Sequence, residues 1–175
     1  MNRNSGPESI DSHGPVLRPA VPGDLDQINA LIGRAVMTWA LPERVKRLAL
    51  PIYHYDPQDM EHLCILVAEE DGAALVGVAA WEPAEARDCP QGRRGLLLHG
   101  LYVDPDRQGL GLGSRLLAAA ASAARDQRYD SLLVKAQADA VGFFQARGLE
   151  PLACEDPDRD YPNRFWMDLA DGQRP

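Results

Sequence analysis

Apolar residues recur at intervals of three and four between positions 25 and 39, which is the repeat of one helix face. Asp24, just before this run, is a suitable N-cap for the helix. A second run over 45–52 repeats about every 3.6 residues and meets Pro51, which is expected to kink or end it. The pattern therefore predicts two helices at the start of the chain, followed by an irregular segment over 52–57.

Short apolar runs rich in β-branched residues predict strands in the middle of the chain. The runs 63–69 and 74–81 flank Glu70-Asp71-Gly72, an arrangement typical of an antiparallel hairpin. The Ala-rich stretch 111–127 predicts a helix, and a shorter helix over 138–147 would be stopped by the glycine that follows it. Further strands are predicted at 16–18, 96–103, 131–136, 149–154 and 164–169.

The order of these elements, in which strands and helices alternate after the hairpin, predicts a mixed sheet flanked by helices. With 175 residues the chain is long enough to bury one continuous core. We therefore expect a single domain over 15–170. Residues 1–14 have too little apolar surface to offset their ordering entropy, so we expect a flexible tail there and a second short tail over 171–175.

Composition and charge narrow the choice of partners. The formal net charge of -8 argues against nucleic-acid binding, because duplex binding requires Lys and Arg to neutralise phosphates. An acidic balance suits a cationic partner, but it is more often only a solubility device. No apolar run approaches the roughly 18 residues of a membrane span, so we expect a cytoplasmic protein that contacts no membrane. The cysteines lack the spacing of a disulfide framework or a zinc site: Cys64, Cys89 and Cys154.

A glycine-rich loop is the most informative stretch of the sequence. Gly109, Gly111 and Gly113 follow a predicted strand that ends at Val103, and they lead directly into a helix. Glycine leaves the backbone open to an anion, and the first turn of a helix carries unpaired N–H groups and a partial positive charge. Ser114 would add a hydroxyl donor, and Arg107 would add a cation nearby. The stretch therefore predicts a phosphate-binding loop.

Two common phosphate-binding motifs fit the spacing of this loop poorly. A Walker loop requires a lysine that is absent here. A dinucleotide fingerprint requires its third glycine where Ser114 stands, and its acidic residue should end a strand, whereas Asp130 precedes one. A turn that only lets the helix pack closely on the sheet is the remaining alternative, but three glycines cost more chain entropy than packing alone requires.

Two segments resemble motifs of one enzyme family. From Gln108 to Gly113 the sequence reads Q-G-L-G-L-G, which resembles the acetyl-CoA signature Gln/Arg-x-x-Gly-x-Gly/Ala of the GNAT acyltransferases. The stretch 137–149 resembles the family's later Asn-x-x-Ala-x-x-Phe-Tyr-x-x-x-Gly-Phe segment, and 17–19 resembles its usual opening. The resemblance implies an α/β fold of the α+β type, with a mostly antiparallel sheet of six or seven strands and about four helices. It also implies an acetyl-CoA-dependent N-acetyltransferase.

The resemblance implies where acetyl-CoA would bind. In the family, the strands corresponding to 97–103 and 131–136 splay apart, and the pantetheine arm lies in the gap. The backbone of 101–103 would pair with the pantetheine amides, and the N–H of Leu101 would polarise the thioester carbonyl. Residues 108–114 would hold the pyrophosphate. The implied acetyl-CoA contacts are Leu101, Tyr102, Val103, Gln108, Gly109, Leu110, Gly111, Leu112, Gly113, Ser114, Gln137 and Phe144.

The reaction also needs a base, because the acceptor ammonium must lose a proton before or during attack. Some members of the family carry Glu at the position of Leu97, which cannot titrate. His99, expected on the same strand face, matches a histidine of the arylalkylamine acetyltransferases and is the first candidate. It would serve equally as a hydrogen-bonded core histidine. Glu82, at the exit of the hairpin, is the second candidate, although a solvated loop charge is the commoner role of glutamate.

One departure from the family bears on catalysis. In many members of the family a tyrosine protonates the leaving thiolate, but this position is Phe144 here, which has no proton to give. Water or Tyr102 would then act as the acid, or the enzyme would work without a general acid. Leu97 and Phe144 leave open a CoA-binding module that has lost catalysis, and a nucleotide-binding fold is a third alternative. For an active enzyme we expect a small-molecule or peptide amine as acceptor, no metal, and a homodimer as in many relatives.

Overall fold

The computed structural model describes residues 14–170 except 71, 91, 155, 157 and 159. Residues 1–13 and 171–175 of the expected tails, and Asp71 of the predicted hairpin turn, therefore lie outside the described residues. The strands and α-helices within the described part are β1 (Val16–Pro19), α1 (Leu25–Met37), α2 (Glu43–Tyr53), α3 (Pro57–His62), β2 (Cys64–Glu70), β3 (Ala74–Pro83), β4 (Gly95–Val103), α4 (Leu112–Asp126), β5 (Ser131–Lys135), α5 (Val141–Gln145), β6 (Glu150–Leu152) and β7 (Arg164–Asp168).

The strands form one seven-stranded sheet in the order β1-β2-β3-β4-β5-β7-β6. Every neighbouring pair is antiparallel except β4 and β5, which run parallel and are joined by the crossover helix α4. The predicted fold class, a mixed and mostly antiparallel sheet of six or seven strands flanked by helices, is confirmed.

Helices cover both faces of the sheet. Ile28, Leu31 and Val36 of α1 are fully buried in a cluster with residues of β2 and β3. Leu116 and Ala120 of α4 are fully buried in a second cluster with residues of β3, β4 and β5. Within the described residues, none of the helices combines the length and the apolar character that a membrane span requires.

The apolar repeat of α2 does not form its packing face. Val45, Leu48 and Ile52 are 45%, 70% and 79% exposed, and no residue of α2 is fully buried. The helix is rotated so that Tyr53 packs against the cluster around α1, and the Lys46 ammonium donates to the Met37 and Trp39 carbonyl oxygens at 2.7 and 3.2 Å. The apolar repeat identified the helix, but it did not identify the face that packs.

The prediction of an irregular segment over 52–57 is wrong in part. Pro51 lies inside α2, which continues to Tyr53. Asp56 then caps α3, because its carboxylate accepts from the N–H groups of Gln58 and Asp59 at 2.7 and 2.9 Å. The Asp59 carboxylate accepts from the Asp56 N–H at 2.8 Å, which completes a capping box. The sequence contained this signal in Asp56-Pro57 followed by an acidic residue.

A charged network ties the first strand to the first helix. Arg18 donates two hydrogen bonds to the Asp24 carboxylate, at 2.7 and 3.0 Å, and one to Glu69 at 2.7 Å. Asp24 is only 5% exposed and also accepts from the Val21 N–H at 2.8 Å. The hydrogen bond from Arg18 is the main cause that lowers the pKa of Asp24. Folding therefore favours the charged carboxylate.

We predict that Asp24→Asn lowers the free energy of unfolding at pH 7 by about 1.5–3 kcal/mol, the range for hydrogen bonds to charged groups. Folding lowers the pKa of Asp24. Its contribution to the free energy of unfolding is therefore fully present above the unfolded-state pKa of about 3.9, and it is lost as the pH falls through the pKa of the folded state. Urea unfolding at pH 7 and pH 3 measures the difference, with the exposed Asp26→Asn as control. An equal loss at both pH values would contradict the assignment.

Candidate active site

The parallel strands β4 and β5 part in the middle of the sheet. They pair from Gly95 opposite Ser131 to Leu98 opposite Val134. From there to Val103, no strand of the described residues pairs with that side of β4. A cleft of about 670 Å³ opens at this point. Its walls come from both strands, α1, the glycine-rich loop and α5. The splay that the family resemblance implied is present.

A β-bulge lies where the strands part. Ala80 pairs with Gly100 and Trp81 pairs with Leu98, so His99 is an extra residue on β4. The His99 side chain is exposed, and its ring centroid lies 6.0 Å from that of Tyr55. His99 therefore does not have the buried environment of a core histidine. It lines the cleft and also a smaller adjoining cavity of about 320 Å³.

The backbone of β4 beyond the bulge turns polar groups toward the gap. Backbone groups alternate sides along a strand, and the Asp104 N–H donates to the Val76 carbonyl on the β3 side at 2.9 Å. The groups of Val103 and Leu101 must therefore face the cleft. The Gln108 side-chain amide supports this, since it donates to the Val103 carbonyl at 3.3 Å. The Leu101 N–H, expected as an oxyanion donor, lies on the cleft side.

The loop before α4 has unpaired backbone donors. Among the described residues, the consecutive N–H groups from Gly109 to Ser114 have no protein acceptor. Gly109 and Gly111 have φ angles of +77° and +84°, and a Cβ added at either would meet nothing within 4 Å. The backbone of this turn therefore faces open space, as an anion-binding loop requires.

Gly113, the third glycine of the loop, is explained by close packing of two helices. A Cβ on Gly113 would lie 3.3 Å from the Phe143 ring, so this glycine lets the start of α4 approach α5. Close packing therefore accounts for Gly113 but not for the two glycines before it. Leu112 is buried in the core and Leu110 is 74% exposed, and neither side chain lines the cleft. Only their backbone amides can face an anion.

The cation at the loop is not the one expected from sequence. Arg107 donates to both carboxylate oxygens of Glu70, at 2.7 and 2.9 Å, so its charge is already paired. Arg147 also lines the cleft, donates to the Ser114 hydroxyl oxygen at 2.8 Å, and lies 4.4 Å from the Phe143 ring centroid. An arginine just before a helix-ending glycine is common in helices, and no sequence pattern indicates that it faces the loop.

Tyr53, Tyr102 and Gln137 line the other end of the cleft, and Tyr161 contacts Gln137 there. The Gln137 amide nitrogen donates to the hydroxyl oxygens of Tyr53 and Tyr161, both at 2.8 Å. Burial raises the pKa of Tyr102, and the two other phenols raise it further. Phe144 is buried in edge contact with Phe143 and also lines the cleft. No sequence pattern singles out Tyr161, because it lies in an irregular loop, far along the chain from the motifs.

Glu82 lies apart from the main cleft. It lines the smaller cavity together with His99, Leu97 and Asp88. Lys135 lines both cavities and donates to the Asp88 carboxylate at 3.2 Å. The two candidate bases therefore share the smaller cavity, and only His99 also lines the cleft.

Residues 33–149 match the sequence profile of the acetyltransferase (GNAT) family, which is well over half of the chain. The chain belongs to the GNAT acetyltransferase family. It is similar to the L-methionine sulfoximine/L-methionine sulfone acetyltransferases of Pseudomonas paraeruginosa and Pseudomonas aeruginosa, each 28% identical over 156 residues that cover 86% of both chains. These findings support an N-acetyltransferase.

Solved GNAT structures share the fold. A paia N-acetyltransferase from Thermoplasma acidophilum in complex with coenzyme A has a TM-score of 0.70 and 12% identity, covering 89% of this chain and 99% of that chain. A GNAT N-acetyltransferase (YhbS) from Escherichia coli in complex with CoA has a TM-score of 0.64 and 20% identity, covering 97% of this chain and 87% of that chain.

We predict that Gly111→Glu weakens coenzyme A binding by at least about tenfold, because its carboxylate would repel a phosphate at the open turn. Any L-residue is strained at this positive φ, so Gly111→Ala isolates the strain from the charge. Gly92→Glu, at a φ of +77° with open space around its Cβ position, makes the same change near the opposite end of β4 from the loop. Calorimetry with coenzyme A compares the variants, and equal affinities for Gly111→Glu and Gly111→Ala would refute a phosphate site here.

Proposed function

We propose that this GNAT enzyme transfers the acetyl group of acetyl-CoA to a primary amine of a small molecule, by direct attack while both substrates are bound. The observation that carries the proposal is the row of unpaired N–H groups from Gly109 to Ser114 beside the gap between β4 and β5. A diphosphate at the loop would aim an extended arm into that gap. Coenzyme A complexes among proteins of the same fold support this assignment.

The residues of the cleft fit such a ligand. The amides of 109–114 would hold the pyrophosphate, with Arg147 supplying a positive charge beside Ser114. The cleft-facing backbone groups of Leu101 and Val103 would pair with pantetheine amides. The bound thioester supplies an activated acetyl carbonyl. The Leu101 N–H would stabilise negative charge on the carbonyl oxygen as it develops.

Two groups are proposed to move or hold protons. His99, exposed at the bulge, would take the proton of the attacking amine directly or through water, with Glu82 as the alternative base. Tyr102 would donate a hydrogen bond to the leaving sulfur in place of the hydroxyl that Phe144 lacks. Burial raises the pKa of Tyr102, so its phenol remains protonated at neutral pH and can act as this donor.

The acceptor is proposed from the relatives. The similar Pseudomonas enzymes are named for L-methionine sulfoximine and L-methionine sulfone, which are small amino acids with one α-amine. L-methionine sulfone is therefore the first acceptor to test, within a panel of amino acids, aralkylamines and polyamines. Release of free thiol from acetyl-CoA with any amine of the panel supports the proposal. Coenzyme A binding without turnover on the whole panel would favour a binding module without catalysis.

We predict that His99→Gln lowers kcat by about 100-fold, the low end of the range for general acid–base catalysis, with little change in coenzyme A affinity. His62→Gln changes an exposed histidine of α3 that lines neither the cleft nor the smaller cavity, and serves as control. Steady-state rates across pH and calorimetry provide the two readouts. A full rate at every pH in His99→Gln would remove this residue from the mechanism, and Glu82→Gln would then be tested in the same way.

A further inference from the structure

Gln137 joins two phenols from separate parts of the chain. Tyr53 is the last residue of α2, Gln137 follows β5, and Tyr161 lies in the loop between β6 and β7. The amide nitrogen of Gln137 donates one hydrogen to each phenol oxygen, at 2.8 Å in both cases. Gln137 occupies the position of the Asn in the family motif, and its longer side chain is used here to bridge two tyrosines.

These hydrogen bonds leave both hydroxyl hydrogens unused. Each phenol oxygen accepts from Gln137, and across the described part of the chain neither hydroxyl donates to a protein acceptor. A phenol has one hydrogen to donate, so the pair presents two donors. Burial is the main cause that raises the pKa of Tyr161, which keeps its donor hydrogen in place. Tyr53 and Gln137 both line the cleft.

Packing and charge hold the pair in position. Trp39 packs edge-on against Tyr53, with ring centroids 5.0 Å apart. Next to Tyr161, the Asp160 carboxylate pairs with Arg164 at 2.8 Å, and both side chains are more than nine-tenths buried. Arg164 also donates to the Asp88 carbonyl at 3.2 Å. Because the phenols are already ordered, a ligand that bonds them loses little entropy in ordering them.

We propose that Tyr53 and Tyr161 are specificity-determining residues that donate to a pair of oxygens on the acceptor, with Gln137 as their positioning residue. This inference rests on the proposed function and deepens it. The acceptor would be an amine whose remaining part carries two hydrogen-bond-accepting oxygens on one atom. A sulfonyl group and a carboxylate share this chemistry, and both occur in L-methionine sulfone.

Four amines test whether a sulfonyl group or a carboxylate supplies the two oxygens. L-methionine sulfone carries both groups, L-methionine only the carboxylate, 3-(methylsulfonyl)propylamine only the sulfonyl, and butylamine neither. We predict that Tyr53→Phe and Tyr161→Phe each raise the KM of L-methionine sulfone about three- to tenfold, the value of one neutral hydrogen bond. We expect kcat and coenzyme A affinity to change little. Tyr129→Phe, in a tyrosine remote from the cleft, is the matched control.

Gln137→Glu tests the direction of the hydrogen bonds. A carboxylate cannot donate, so both phenols would turn their hydrogens toward it and withdraw them from the cleft. The bridge between the tyrosines would persist, and we predict a rise in the acceptor KM at least as large as in the Phe variants. A merely structural bridge would leave this KM unchanged. Thermal unfolding confirms that each variant remains folded.

Each outcome decides the proposal. A loss confined to the two sulfonyl probes identifies a sulfonyl group as the partner, and a loss confined to the two amino acids identifies a carboxylate. An equal loss with butylamine, or no loss in any variant, overturns the proposal. Wild-type turnover of butylamine tests the proposed function separately. Calorimetry with the protein–coenzyme A complex compares the affinities of the four probes without turnover. A wild-type protein that binds none of the oxygen-bearing probes also overturns the proposal.

Discussion

The site depends on the point at which hydrogen bonding between β4 and β5 stops. Beyond Leu98 and Val134, the β4 backbone keeps its pairing with β3, but no strand in the described part of the chain lies on its other side. An unpaired edge inside a sheet is open to any extended ligand with amide groups. The bulge at His99 coincides with this point and projects one titratable side chain there. The proposed chemistry therefore uses an interrupted sheet, and the glycine-rich loop lies directly after the free edge.

The glycine positions correctly predicted an open turn before α4. Gly109 and Gly111 have positive φ angles before α4, which follows from their positions in the sequence. The strands and the mixed sheet were also predictable, because their apolar runs and connections are short-range features. The packing face of α2 was not, since the apolar repeat of Val45, Leu48 and Ile52 lies outward and Tyr53 packs inward. Helical periodicity identifies a stripe, whereas tertiary contacts decide which stripe is covered.

Other parts of the site depend on long-range pairing. The exposure of His99 follows from an extra residue in the β3–β4 register, which one strand's sequence does not reveal. The contacts of Tyr161 with Gln137, and of Arg147 with Ser114, join segments that are distant in the chain. The loss of the tyrosine at Phe144 was visible in the sequence. The hydrogen bonds that join Tyr53, Gln137 and Tyr161 became visible only when separate elements were brought together.

A crystal structure of the protein with coenzyme A tests the central claim most directly. We predict the pyrophosphate within hydrogen-bond distance of the N–H groups of Gly109 to Ser114, and the pantetheine arm along the free edge of β4 with its sulfur near Leu101. Coenzyme A bound elsewhere, or a loop whose amides stay unbonded at saturating ligand, would contradict this claim.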